Sequence, residues 1–215
     1  MFDNIWIGII LFTATSFVVG LSGAMVPGPM LTVTISDSLK KGVTAGPKIV
    51  IGHILVEFLL ILLIFAGLGW LFGSGIAIVV IGIIGGSIMV IMGFQMAISS
   101  NSLEDLHKNS ENSKGYSPVL NGILTSISNP YFFIWWATVG WAFMLKGIEL
   151  AGILGVVGFL TGHWFSDLGW FSTVSFFTTK GSNIMKDNHY KIIMSVSGIF
   201  LMALGVYFVI SSYVL

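Results

Sequence analysis

Long apolar stretches separated by short polar segments make up almost the whole chain. Asp3 and Asp37 enclose 33 residues without a charge, and 46 uncharged residues run from Phe58 to Leu103. A helix needs about 20 apolar residues to cross the hydrocarbon core of a bilayer, so the longer stretch must cross it twice. The glycine-serine-glycine sequence at 73–75 is the expected hairpin between these two crossings.

The same pattern predicts an all-α, polytopic membrane protein with six transmembrane helices and almost no soluble domain. The predicted spans cover 5–36, 48–72, 76–98, 118–145, 150–178 and 191–213. Three spans on each side of a polar cytoplasmic loop over 99–117 divide the chain into two halves, 1–98 and 118–215. An odd number of spans per half makes the halves face opposite ways, which predicts a 3+3 inverted-topology repeat.

Lysine sets the predicted orientation, because the chain has no arginine. Eight of the nine lysines fall on the connections after the first, third and fifth spans, and only Lys146 falls on the opposite side. Lysine-rich short loops stay in the cytoplasm, so we expect a multi-pass plasma-membrane protein with both termini outside. A signal peptide begins with basic residues and has a short apolar run. This chain has Asp3 near its start, followed by a long apolar run, so the pattern is not typical of a signal peptide.

Composition agrees with this class and excludes several functions. Only 8% of residues are charged, against about a quarter in soluble domains. Zero net charge disfavours nucleic-acid binding, and the absence of cysteine excludes disulfides and thiolate metal sites. The expected partners are the bilayer, a small-molecule substrate and a coupling ion, with no cofactor. Glycine stripes such as Gly82-x-x-x-Gly86 predict helix contacts within the chain or, alternatively, a homodimer face.

Proline interrupts two of the predicted spans. Pro27-Gly28-Pro29 lies late in the first, and Asn129-Pro130 lies early in the fourth. Each break is about ten residues from the cytoplasmic end, or about 15 Å deep, near the middle of the bilayer. Free N–H and C=O groups at such helix ends can hold a substrate carboxylate or a cation. The alternative is a pair of kinks that only improve packing.

A histidine and an acid recur together in two apolar segments. Gly52-His53 is followed by Glu57, and 110 residues later Gly162-His163 is followed by Asp167. A spacing of four places each pair on one helix face. Ionisable groups inside a membrane are expensive, so they indicate function by default.

Proton transfer is the chemistry that these four side chains favour. If both helices face one cavity, the order from inside to outside is His53, Glu57, Asp167, His163, which suits a proton relay. Exchange of a proton for a substrate ammonium at either acid would couple export to the proton gradient. The alternative is a pair of internal hydrogen bonds that only fix helix packing.

The layout resembles the LysE/RhtB family of amino-acid exporters. The resemblance rests on the glycine-rich sequence at 20–23, the proline-glycine-proline sequence at 27–29, the Lys40-Lys41-Gly42 turn with Gly46 and Gly52 beyond it, and the asparagine-proline pair at 129–130. It implies a secondary transporter that exports amino acids or related amine-bearing solutes. By the same resemblance, the transport path is lined or shaped by Pro27, Gly28, Pro29, Asn129 and Pro130.

Two positions bear further on the substrate. Tyr131 stands where family members often have lysine, and Trp164, beside His163, is placed to contact a substrate.

Two other classes of function remain open. Two imidazoles and two carboxylates from His53, Glu57, His163 and Asp167 also suit a divalent transition metal, so a metal-cation exporter is one alternative. A non-transporting membrane enzyme or scaffold is the other alternative, although the sequence has no serine between two glycines in the pattern of a hydrolase nucleophile elbow.

Overall fold

The computed structural model describes residues 2–26, 28–68, 75–98, 116–182 and 186–212. These segments are helical and contain no strand, which confirms the all-α class for the described part of the chain. The predicted hairpin at 73–75 (apart from Gly75), most of the predicted loop over 99–117 and Pro27 lie outside the described residues. The helices are α1 Phe2–Ala24, α2 Pro29–Lys41, α3 Ala45–Leu63, α4 Gly75–Ala97, α5 Pro118–Ile127, α6 Pro130–Trp135, α7 Trp141–Ala151, α8 Ile153–Ser182 and α9 Asp187–Ser211.

The first predicted span, 5–36, is two helices instead of one. α1 ends at Ala24, and α2 begins at Pro29 and continues to Lys41. Gly28 precedes α2 in an extended conformation, with φ −157° and ψ −175°. Proline suits the first helical position, because its fixed φ is helical and its missing N–H would have had no partner there. The predicted break within the span 5–36 is therefore confirmed, and α2 continues past the predicted end of the span to Lys41.

The second predicted break is also present. α5 ends at Ile127, where the Ser128 N–H donates to the Leu124 carbonyl and the Asn129 N–H donates to the Ser126 carbonyl. α6 begins at Pro130. A π-helical turn, Trp136–Gly140, then joins α6 to α7, and a second one, Ile64–Leu68, extends α3. The predicted span 118–145 is thus an interrupted series of shorter helices.

Three of the described helices are long and apolar enough to cross a bilayer, over Ile5–Ala24, Ala45–Gly67 and Asp187–Ser211. Large apolar side chains such as Ile10, Leu55 and Val196 remain more than half exposed on them, as lipid-facing residues do. α8 is 30 residues long, but it carries His163, Asp167 and several hydroxyl side chains. Six spans and the inverted repeat therefore stay predictions.

The helices form two compact units. The first consists of 1–26 and 131–170, and the second of 27–130 and 171–215. Each unit takes segments from both predicted halves of the chain.

Glycine sets the distance between helices in the second unit. α3 meets α5 where an added Cβ on Gly52 would lie 2.0 Å from the Val119 carbonyl oxygen, and one on Gly122 would lie 2.0 Å from the Ile49 carbonyl oxygen. α4 meets α9 in the same way, because an added Cβ on Gly86 would lie 2.5 Å from the Gly205 carbonyl oxygen. Backbones approach this closely only where no side chain intervenes. The predicted role of the Gly82-x-x-x-Gly86 stripe in helix contact within the chain is confirmed.

Replacement of Gly122 by alanine should destabilise the second unit, because the Cβ would overlap the Ile49 carbonyl. Overpacking costs roughly 1–3 kcal/mol, so thermal unfolding in detergent should begin several degrees lower. The matched control is Gly181→Ala in α8, where no atom lies within 4 Å of the added Cβ and alanine favours the helix. Equal melting of Gly122→Ala and the wild type would contradict the packing described.

Candidate functional site

The first histidine–acid pair lies on α3 in the second unit. His53 Nε2 is 3.1 Å from Glu57 Oε1, so the predicted i,i+4 contact is formed. The Glu57 side chain is 1% exposed and that of His53 is 12% exposed. A carboxylate this deeply buried must be neutralised or paired, because desolvation of an isolated charge is costly.

The glycine before His53 explains the position of this pair. Since Gly52 has no side chain, α5 packs directly against α3 at Val119. This approach brings Ser126, about two turns further along α5 than Val119, to His53, with 2.7 Å between Ser126 Oγ and His53 Nδ1. Ser126 also donates its hydroxyl to the Gly122 carbonyl at 2.7 Å. Both ring nitrogens of His53 therefore have a polar contact.

The second pair lies on α8 in the first unit. His163 Nε2 is 3.6 Å from Asp167 Oδ2, and the two side chains are 6% and 5% exposed. Gly162 has the role that Gly52 has in the first pair, since its added Cβ would lie 2.2 Å from the Thr13 carbonyl oxygen of α1. Further along α1, an added Cβ on Gly20 would lie 3.0 Å from His163 Nδ1. The glycines of both motifs thus admit a neighbouring helix beside the histidine.

Aromatic rings surround His163 within the first unit. The imidazole stacks on Trp135, with ring centroids 4.7 Å apart and 17° between the planes. Phe159 lies at 5.9 Å, and Trp136 meets the ring edge-on at 5.8 Å. Gly23 of α1 borders Trp135, since a Cβ added at Gly23 would lie 3.2 Å from Trp135 Nε1. Ring packing therefore fixes the orientation of His163, whereas a hydroxyl group contacts His53.

Both pairs offer a ligand the same two kinds of atom, an imidazole nitrogen and a carboxylate oxygen. Each places one imidazole nitrogen and one carboxylate oxygen on adjacent turns of a helix. Such a pair can bind and release a proton, hydrogen-bond an ammonium group, or supply two of the ligands of a divalent metal.

The residues predicted to shape the transport path are described less completely. Gly28 and Pro29 form the start of α2, and Asn129 joins the end of α5 to Pro130. Trp164 is partly buried on α8. Pro27 lies outside the described residues, and its predicted role stays a prediction.

A buried ionic network in the second unit was missed at the sequence level. Asp37 of α2 is 4% exposed, and its two carboxylate oxygens accept from Lys41 Nζ at 3.0 Å and from Asn121 Nδ2 at 2.8 Å. Lys41 also donates to the Tyr116 carbonyl at 2.6 Å, so the network ties α2 to the beginning of α5. The four-residue spacing of Asp37 and Lys41 is the signal that could have revealed it.

Lys40, the neighbour of this network, is also partly buried. Burial lowers the pKa of Lys40 below the ordinary lysine value; the Asp37 carboxylate opposes this shift, and the Lys41 ammonium adds to it. The end of α2 is therefore an electrostatically coupled segment and not a solvated loop.

Apolar exposed helices, helix breaks at proline and buried ionisable pairs are together typical of an integral membrane transporter. The model of the LysE type translocator family matches residues 21–212, and the chain belongs to that family. The suspected LysE/RhtB resemblance is thereby confirmed, and the family consists of transporters and not of enzymes. No curated protein and no solved structure matches the chain significantly.

Replacement of Asp37 by asparagine should destabilise the second unit, because Lys41 would keep its partly buried position without a counter-charge. Loss of one partner from a buried ion pair costs about 3 kcal/mol, and the 17% exposure of Lys41 places the effect below that value. Chemical unfolding in detergent measures the change.

The matched control is Glu149→Gln. Glu149 pairs with Lys146 at 2.9 Å, but both side chains are more than 60% exposed, so the cost should stay under about 1 kcal/mol. Similar effects of the two substitutions would show that the Asp37 network contributes no more than a surface pair.

Proposed function

We propose that the protein is a secondary transporter that exports amino acids or related amine-bearing solutes across the plasma membrane in exchange for protons. Membership of the LysE type translocator family supports a membrane exporter. The observation that supports export of amines by proton antiport is the Glu57 carboxylate. Its side chain is only 1% exposed, and its Oε1 lies 3.1 Å from His53 Nε2.

Antiport follows from the cost of burying this acid. In apolar surroundings the Glu57 charge needs compensation by a proton, by the imidazolium form of His53 or by a bound ammonium group. A proton and a substrate ammonium then compete for the same carboxylate. Since each displaces the other, outward movement of the amine is coupled to inward movement of a proton.

The second pair extends the proposal. Like the first pair, it places an imidazole beside a buried carboxylate on adjacent turns of one helix, with His163 Nε2 3.6 Å from Asp167 Oδ2. We assign all four to proton coupling. Helix ends at Gly28, Pro29, Asn129 and Pro130, together with Pro27 and Trp164, are assigned to the substrate path.

Replacement of Glu57 by glutamine should abolish gradient-driven efflux, because the amide cannot accept a proton or neutralise an ammonium group. The assay uses proteoliposomes loaded with a panel of amino acids and small amines, an acidic external medium, and mass spectrometry of the released solutes. Efflux should fall to the level of protein-free vesicles.

Glu149→Gln is the control for this experiment, since it removes an exposed carboxylate of the same type. Its efflux should equal that of the wild type. Undiminished efflux by the Glu57→Gln variant would show that this acid does not couple transport to protons.

Divalent metal export is the competing function, favoured by the paired imidazole and carboxylate atoms of both motifs. The same vesicles, filled with a metal-sensitive dye and exposed to zinc or cobalt, separate the two functions. Metal movement that depends on Glu57, without release of any amine, would replace amine export by metal export.

The proposed orientation has its own test, because the natural chain has no cysteine. Single Lys48→Cys and Lys146→Cys variants place thiols at exposed positions on opposite sides of the predicted membrane. A membrane-impermeant maleimide should label the Lys146→Cys variant in intact cells and the Lys48→Cys variant only after permeabilisation. The reverse pattern would place the termini in the cytoplasm.

A further inference from the structure

Ser126 has two polar contacts but only one hydroxyl proton to donate. Its Oγ lies 2.7 Å from the Gly122 carbonyl oxygen and 2.7 Å from His53 Nδ1, and the residue is 3% exposed. The bond to Gly122 uses the hydroxyl proton, because a carbonyl oxygen can only accept. The contact with His53 is then a hydrogen bond that Oγ accepts, so the proton in it belongs to Nδ1.

This assignment determines the chemistry of the other ring nitrogen. A neutral imidazole that carries its proton on Nδ1 presents a lone pair at Nε2. Nε2 faces Glu57 Oε1 at 3.1 Å, which is a hydrogen-bond distance only if one proton lies between the two atoms. Loss of that bridging proton leaves two acceptors in contact, an arrangement that attracts a cation with N–H donors.

We propose that Ser126 is a positioning residue that holds the proton of neutral His53 on Nδ1, so that Nε2 and the Glu57 carboxylate bind either one bridging proton or the N–H groups of a substrate ammonium. The inference rests on the proposed function and narrows its substrate class to amines that carry at least two N–H bonds. No bond between heavy atoms forms or breaks. One proton leaves the pair as the ammonium enters, and one returns as the ammonium departs.

The tautomer of His53 is the direct test, and it does not depend on transport. Nitrogen-15 NMR of the full chain with labelled histidine, at alkaline pH, distinguishes protonated from bare ring nitrogens, and the signals missing from a His53→Gln spectrum identify His53. We expect a protonated Nδ1 and a bare Nε2 in the wild type. In Ser126→Ala, part or all of the proton should shift to Nε2.

Two variants show whether the hydroxyl itself is responsible. Ser126→Thr keeps a hydroxyl and should keep the wild-type tautomer. Thr125→Val changes the adjacent buried residue, whose hydroxyl also bonds to backbone carbonyls of α5, and should leave the His53 signals in place. A wild-type ring protonated on Nε2, or an unchanged tautomer in Ser126→Ala, would overturn the inference.

Transport assays test the part of the proposal that limits the substrate to amines with at least two N–H bonds. Vesicles that export a primary amine should not export its trimethylated derivative, which has no N–H to donate, and Ser126→Ala should raise the KM for the amine. Equal export of both compounds overturns the ammonium bridge. If no amine is exported at all, the proposed function fails, whereas the NMR result still decides the role of Ser126.

Discussion

A carboxylate inside an apolar protein requires a proton or a polar or charged partner close by, and this requirement governs the site. Glu57 and Asp167 are almost fully buried, and each has a histidine one helical turn away. A histidine partner differs from a lysine or arginine partner because its charge changes near neutral pH. Each buried carboxylate therefore lies beside a group that can bind and release a proton. A purely structural ion pair does not need such a group.

Close helix approach brings partners to these pairs. In both motifs the glycine before the histidine has a carbonyl oxygen of a neighbouring helix where its Cβ would be, from α5 at Gly52 and from α1 at Gly162. The consequences differ: α5 presents the Ser126 hydroxyl to His53, whereas α1 presents Gly20 to His163, whose ring is packed by Trp135. One local sequence pattern thus produces two chemically distinct environments.

Sequence reasoning found the features that depend on local chemistry. Pro29 and Pro130 each begin a new helix, because a proline in the interior of a helix removes a hydrogen bond and clashes with the preceding turn, so both breaks were predictable. The four-residue spacing made the histidine–acid contacts predictable as well. Ser126 and Asn121 were missed because their importance comes from helices 70 to 90 positions away in the chain. Asp37 lies one residue beyond the predicted first span, because apolar content, and not proline geometry, determines where that predicted span ends.

The most direct test of proton coupling starts without any pH gradient. Vesicles that contain the purified protein, an exported amine and a pH-sensitive dye are diluted into amine-free medium of equal pH. If burial of Glu57 makes proton and ammonium exchange for each other, the interior should acidify as the amine leaves, and Glu57→Gln vesicles should show neither change. Release of the amine with a constant internal pH would contradict the account.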